Sequence, residues 1–398
     1  MHMIAGTNFG SLVSTDGGVT WGWICREAMR ASLDVNDPMV GIAGDGSLFV
    51  ADGAGLWHGT PDGCDWSLAD PTFSGPIPSL TTGAPHTLFA GTGFDEANNF
   101  LMRSTDDGAT WHAVVGPTFR VFYESVAVAP SDPMRIYAVE TLPPERVEPW
   151  QPSVMRSDDG GDTWSRVPYT LLPAEWHLFV IAVDPSDPGR LALRTQDLHM
   201  DGHDRVLVSS DGAATFTDAA QLRQVLAGAW DVDGSSIWIG GPLDGVWRSD
   251  DHGGSYAPAH SGLDVRGFLL RGGALWVTGT EAFDGFAIAR STDRGVTLPT
   301  FSRLSSITGI AHCPASSAVA RICPMHQSVI DGVLGSEDAG PPMLDASILL
   351  PQDAGTDAMP PNESARCTCS VTSRGPRALS FLVAIAVARI GRGRRRRR

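Results

Sequence analysis

A chain of 398 residues with a net charge of −16 has room for two average domains or for one repeat architecture, and length alone does not choose between them. Its 29 Lys and Arg side chains are all Arg and are unevenly spread: residues 1–335 are strongly acidic, whereas 336–398 carry a positive balance. The acidic part should repel nucleic acid and anionic lipid, which argues against both as partners of a folded region.

In chain order, Met1 to Thr7 lacks the basic, apolar and small-residue stretches of a secretion signal and reads instead as the middle of a strand, so the true start is expected to lie upstream. The pattern Ser-x-Asp-x-Gly-x-Thr-Trp follows at Ser14, Asp16, Gly18, Thr20 and Trp21. It returns in full around Asp106 and Asp159, and in degenerate form around Asp62, Asp211, Asp251 and Asp293. Successive box Asp residues are 40 to 53 positions apart, the length of one four-stranded propeller blade. Seven boxes therefore predict an all-β, seven-bladed β-propeller over residues 1–335, with its first blade cut short at the N-terminus.

Between boxes, Val126-Ala-Val-Ala-Pro130-Ser-Asp-Pro133 aligns with Ile181-Ala-Val-Asp-Pro185-Ser-Asp-Pro188, and both read as strand, turn, strand. Each blade is then strand A, turn, strand B, variable loop, strand C, box, strand D. Gly permits positive φ in the box turn, the short Asp accepts nearby N–H and hydroxyl groups, and the Trp opens strand D. Asp16, Asp62, Asp106, Asp159, Asp211, Asp251 and Asp293 are therefore expected to be structural, with no catalytic, cofactor or metal role.

Strands alternate in direction, so A–B turns and boxes share one face, while B–C loops and D–A links share the other. The long, aromatic and acidic B–C loops place Phe94, Asp95, Glu145, Arg146, Trp150, His199, Asp201 and Phe283 on that second face, the expected site for a protein or carbohydrate ligand. The loop containing Asp197, His199, Asp201, His203 and Asp204 has metal-ligand chemistry, but its alternating spacing does not specify a metal site.

Six Cys suit an oxidising compartment. Cys25 is expected to bond Cys64, and Cys313 to bond Cys323, with Cys367 and Cys369 a third close pair. Ring closure is expected from residues 307–312 pairing with Met3–Thr7, which would hide two sheet edges. Residues 336–366 are rich in Pro, Ala, Asp and Gly and read as a disordered linker. Residues 367–398 hold the two Cys, an apolar run from Ala378 to Ala388 read as a helix, and Arg394 to Arg398. Eleven apolar residues make a helix of ~16 Å, about half a bilayer core.

The boxes resemble the Asp-box, or BNR, repeats of sialidases, sortilin-type receptors, some glucanases and a photosystem assembly factor. That resemblance implies the propeller fold and leaves the reaction open. A sialidase would use an Arg triad, a Tyr nucleophile with a Glu, and an Asp acid. No N-terminal Arg motif of that family is present, and Tyr123, beside Arg120 and Glu124, is the only Tyr placed for the role, with packing between blades as its structural alternative. The tail resembles the C-terminal sorting signals of myxobacterial surface proteins, which implies an exported chain attached at the cell surface or outer membrane. The favoured function is a non-catalytic binding or scaffold module; the alternative is a sialidase-like or other glycoside hydrolase.

Overall fold

The computed structural model describes residues 2–31, 38–83, 85–143, 150–197, 199 and 202–335, together with the backbone of Ile385–Ala388. Seven sheets, antiparallel but for one outer strand of the first, form an all-β propeller. Blades two to seven each take four consecutive strands, as in blade four: Phe122–Ala129, Asp132–Leu142, Gln151–Ser157 and Ser165–Pro168. The A strands of neighbouring blades adjoin around the axis. Apolar clusters fill the spaces between blades, such as the one joining Tyr137, Val139 and Val154 of blade four to Leu191, Leu193 and Leu207 of blade five.

Each box makes the C–D turn that its residues require. Ser14 Oγ donates to Asp16 at 2.8 Å and accepts the N–H of Gly18 at 2.8 Å, while the Thr20 hydroxyl donates to the second Asp16 oxygen at 2.7 Å. The same net recurs around Asp106, Asp159, Asp211, Asp251 and Asp293. Two successive residues must take positive φ, and where Gly is absent other residues accept it: Asp107 at 59°, Ala213 at 69° and Arg294 at 60°. Trp66, Trp111 and Trp164 fold back on their own turns, their indoles donating to the carbonyls of Gly63, Gly108 and Gly161, whereas Trp21 donates to Ser302 of blade seven.

Boxes and A–B turns do share a face. Box N–H groups donate to the A–B turn of the same blade, from Asp107 to His86, Gly160 to Met134 and Gly212 to Gly189. Boxes also join blades. The Arg just before a box Ser reaches the next box: Arg103 donates to the Gly160 carbonyl and to Asp162, Arg156 to the Gly212 carbonyl, and Arg248 to the Arg294 carbonyl.

The first blade corrects two expectations. Ile307–Ile310 does not pair with the N-terminal strand; it runs parallel to Trp21–Ile24 on the outer edge of the blade. The reason is the chain path, because strand D of blade seven ends at the rim and leads directly onto the outside of blade one. The place beside His2–Thr7 is taken by Ile385–Ala388, antiparallel, and these four residues of the expected helix are a strand. Cys367, Cys369 and the terminal Arg residues lie outside the described residues. Among the described residues no helix is long and apolar enough to cross a membrane.

The cysteine pairing is also different from that expected. Cys25 bonds Cys323 and Cys64 bonds Cys313, with Cα separations of 5.4 and 5.5 Å. After the propeller strands, residues 311–335 return as short helices, Ala318–Ile322 and Gln327–Gly335, packed on blade one through Val319, Ile330 and Val333. Both bridges pin this cap to the first two blades, because a cap lying over them brings each of its Cys nearer to a blade Cys than to the other cap Cys.

Peptide mapping without reduction should recover Cys25–Cys323 and Cys64–Cys313 and neither alternative pair. With Cys64–Cys313 intact the other bridge closes a cycle on the order of 50 residues, which in the chain-entropy account contributes about 4 kcal/mol. The double substitution Cys25→Ser with Cys323→Ser should lower the unfolding free energy in urea titration by an amount of that order, and an unchanged urea midpoint refutes the stapling role. The box hydroxyls, led by Thr163, Thr215 and Ser249, hold Asp159, Asp211 and Asp251 down at about 2. Thr20 and Ser291 likewise hold Asp16 and Asp293 below the ordinary carboxylate value. A carboxylate depressed on folding supports the fold fully above its unfolded pKa and ceases to do so as it protonates. Stability at fixed urea should therefore be level above about pH 4 and fall steeply toward pH 2, and a flat profile through that window contradicts the box network.

Candidate binding rim

The face away from the boxes is where each strand A begins, and blades four and five begin there with Phe122-Tyr123-Glu124 and Glu175-Trp176-His177. Both D–A links place a residue other than Gly in left-handed backbone just ahead, Arg120 at φ 59° and Ala174 at φ 87°. Such backbone costs roughly 1–2 kcal/mol per residue, so the surroundings must hold it. Arg120 is held by its N–H on the Ala97 carbonyl and its Nε on the Asp95 carbonyl, each 2.9 Å.

The link ahead of blade five is tied to a buried ion network. Arg205 donates from Nε to Glu175 Oε1 at 2.6 Å, from a terminal nitrogen to Oε2 at 2.9 Å, and to Asp218 and the Tyr169 hydroxyl. Glu175 also accepts the Thr195 hydroxyl and the Leu172 N–H, each at 2.7 Å. Burial pulls the Glu175 pKa upward, but the bonds from Arg205, Leu172 and Thr195 prevail and hold it below its ordinary value.

Above this base the aromatic side chains converge. The Trp150 ring lies 4.9 Å from His177, 6.0 Å from Phe122 and 6.1 Å from Trp176, the last at right angles. His177 is 4.9 Å from Trp176 and 5.9 Å from Phe179. Its Nδ1 meets Glu124 Oε1 at 2.7 Å across the gap between the two blades. The Arg194 guanidinium lies 4.1 Å over Phe179. Phe119, Leu142 and Leu172, at strand ends or links on the same rim, are exposed.

Of the residues chosen from sequence, Trp150 alone enters this cluster. Phe94 and Asp95 lie in the B–C loop of blade three, which is fixed rather than open: Asn99 accepts the Phe94 N–H and donates to its carbonyl, and Phe94 packs on Gly75. His199 is exposed, with Nδ1 at 3.1 Å from Asp197. Phe283 is 65% exposed on the short helix Glu281–Asp284 of blade seven, three blades from Trp150. Glu145, Arg146 and Asp201 lie outside the described residues. Phe122, Trp176, His177, Phe179 and Arg194 were not selected from sequence. The signal for all but Arg194, which lies on strand B of blade five, was a pair of A strands opening on aromatic and charged residues where other blades open on Met39, Ser79, Ala227 and Gly267.

Tyr123 is fully buried, its hydroxyl 3.4 Å from Thr118 Oγ1, and burial pushes its pKa up. It fills the space between blades. In the loop with metal-ligand chemistry, Asp204 is turned inward and accepts the N–H groups of Asp197 and Val225. Among the described residues no group of three or more His, Cys, Asp or Glu is gathered to hold a metal ion.

No family model matches the chain. No curated protein matches it either. Among solved structures, an ancestral GH74 enzyme superposes with a TM-score of 0.50 at 16% identity, covering 68% of this chain and 40% of that one. YCF48 bound to D1 peptide gives 0.45 at 17% identity over 70% and 85% of the two chains. A GH74 xyloglucanase from Xanthomonas campestris gives 0.35 at 13% identity over 78% of each. The chain thus spans 40% of the first of these enzymes, and at such identities the likeness is one of fold.

Removing one partner of a buried pair leaves an uncompensated charge at a cost of about 3–5 kcal/mol. Arg205→Met should destabilise the protein by that order in urea titration, while Tyr123→Phe should stay within about 1 kcal/mol of the parent. A large loss in the Tyr123 variant would give that hydroxyl a role the geometry does not provide.

Proposed function

We propose that this chain is an Asp-box propeller that serves as an exported binding or scaffold module, with its ligand seated on the rim where blades four and five meet. The observation that carries the reading is the aromatic cluster of Trp150, Phe122, Trp176 and His177, flanked by exposed Phe119, Leu142 and Leu172. Apolar groups gathered on one rim, with polar groups set among them, are the composition of a recognition surface. The two disulfides favour an oxidising compartment and so support export. Surface attachment through residues 367–398 belongs to the same proposal and rests on the resemblance of that tail to sorting signals.

Binding is favoured over hydrolysis by the state of the carboxylates. Glycoside hydrolysis requires two carboxyl groups facing the substrate. Around the cluster, Glu140 is engaged by Arg166 at 2.6 Å, Glu175 by Arg205, and Asp204 by two backbone N–H groups. Glu124 and Glu140 each keep one oxygen without a hydrogen bond among the described residues, but every one of these carboxylates is held on at least one oxygen by a cationic or imidazole side chain or a backbone N–H, which favours a fixed role over a reacting one. Buried Tyr123 is no better placed as a nucleophile.

The test is Trp150→Ala in affinity gels cast with neutral or acidic polysaccharides and against a displayed-peptide library. Parent protein should be retained by one of these and the variant lose at least about tenfold in affinity, with a melting temperature within a few degrees of the parent. Retention unaffected by the substitution, or a collapse in melting temperature, refutes the rim as the site. Release of reducing ends from a retained polysaccharide refutes the non-catalytic reading in favour of the hydrolase.

A further inference from the structure

We infer that the ligand of this rim is an uncharged, polyhydroxylated saccharide, and that Glu124 and Arg194 are the two groups that read its hydroxyls. The inference rests on the rim reading above and adds to it the chemical class of the ligand.

Glu124 and Arg194 are both nearly buried and both incompletely bonded. The Glu124 side chain is 7% exposed, with Oε1 taken by His177 and no hydrogen bond to Oε2 among the described residues. The Arg194 side chain is 12% exposed. Among the described residues its only carboxylate neighbour within 4 Å is Asp204 at 3.6 Å, beyond hydrogen-bond distance, and the guanidinium makes no hydrogen bond. Asp204 does not turn toward it because the Asp197 and Val225 N–H groups already hold both Asp204 oxygens. The open Glu124 oxygen and the Arg194 fork are close to buried yet still reach the surface, so an acceptor and a set of donors stand available there to a ligand.

Charge and shape narrow that partner. An anionic ligand would meet Glu124 and Asp204, and a cationic one would meet Arg194, so neither sign is favoured. Sugar hydroxyls donate to a carboxylate and accept from a guanidinium at once. The Trp150 and Trp176 rings both pack on His177, which holds Glu124, and Arg194 lies over Phe179, which neighbours the same imidazole, so aromatic groups of the kind on which pyranose rings stack adjoin the polar ones. An extended peptide would look for an unpaired strand edge at the rim, whereas the strands B and C that bear its loops in blades four and five are paired on both sides.

The experiment titrates the full chain with cellohexaose, mannohexaose and laminarihexaose, with oligogalacturonate and oligolysine as charged probes, reading tryptophan fluorescence and calorimetric heat. One neutral hexasaccharide should bind more tightly than either charged probe. Glu124→Gln should weaken it about fivefold or more, and Arg194→Lys, which keeps the charge beside Asp204 but loses the planar fork, by a similar factor, with melting temperatures unchanged. If Arg194→Lys does not fold, Glu124→Gln together with Trp150→Ala carries the test. Tighter binding of oligogalacturonate or oligolysine, or neutral binding indifferent to both substitutions, overturns the saccharide assignment. If no hexasaccharide binds while a peptide is retained in a Trp150-dependent way, the ligand class is wrong and the rim reading stands. If no probe shows Trp150-dependent binding, both fall, and waters complete the two groups.

Discussion

Everything in this ring depends on the bond between a box Ser and its Asp two residues on. That hydrogen bond, 2.6 to 2.9 Å long around the ring, closes a turn in which two successive residues take positive φ. With the turn closed, the box presents its backbone outward, toward the A–B turn of its own blade and toward the Arg of the blade before. One local motif thereby sets the C–D register, joins it to the A–B turn and links neighbouring blades. Where the motif is degraded, other contacts substitute. In blade two the shortened box around Asp62 carries Cys64, and a covalent bridge replaces part of the missing net.

A ring of like sheets still has two ends to join, and the join is made mainly from outside. The segment after blade seven lies against strand D of blade one and then forms a helical cap bridged to blades one and two. The first bridge spans 298 positions, so it removes a large share of the freedom of the unfolded chain. Once it is formed, the second closes a cycle on the order of 50 residues, short enough for the two to act as one clamp.

Most of this architecture was legible because boxes are local. Ser, Asp, Gly, Thr and Trp at fixed spacing act on one another within eight residues, so their positions in sequence state their geometry, and blade number and face assignment follow from them. The pairing of Cys25 with Cys323 is not local. It depends on where the chain goes after Ser302, and proximity in sequence favoured the wrong partner for each Cys. Ring closure failed for the same reason: Ile307 to Ile310 had the composition of a strand, but the path from blade seven delivered it to the outer edge. At the rim, Trp150 could be chosen because an aromatic in a Pro-rich loop stands out. Trp176 and Phe122 begin strands, where aromatic residues are ordinary, and only the adjacency of blades four and five brings them to Trp150.

Blades four and five are also the longest. The intervals ending at Asp159 and Asp211 are 53 and 52 residues, against 40 to 46 elsewhere, and strands Asp132–Leu142 and Glu175–Val183 run to 11 and 9 residues where most A and B strands have 4 or 5. A blade needs only enough length to cover its neighbour. Part of the surplus of blade five lengthens its A–B turn, residues 184–190, and much of the rest lengthens the strands and extends the free face. There, length brings together groups that the packing of a shorter blade would not support, including two left-handed links, a half-bonded Glu and an Arg without a hydrogen bond among the described residues. Spare length, a fixed opposite face and incompletely satisfied polar groups meet at one position on the ring, and that coincidence distinguishes the rim of blades four and five from the rest of a repetitive surface.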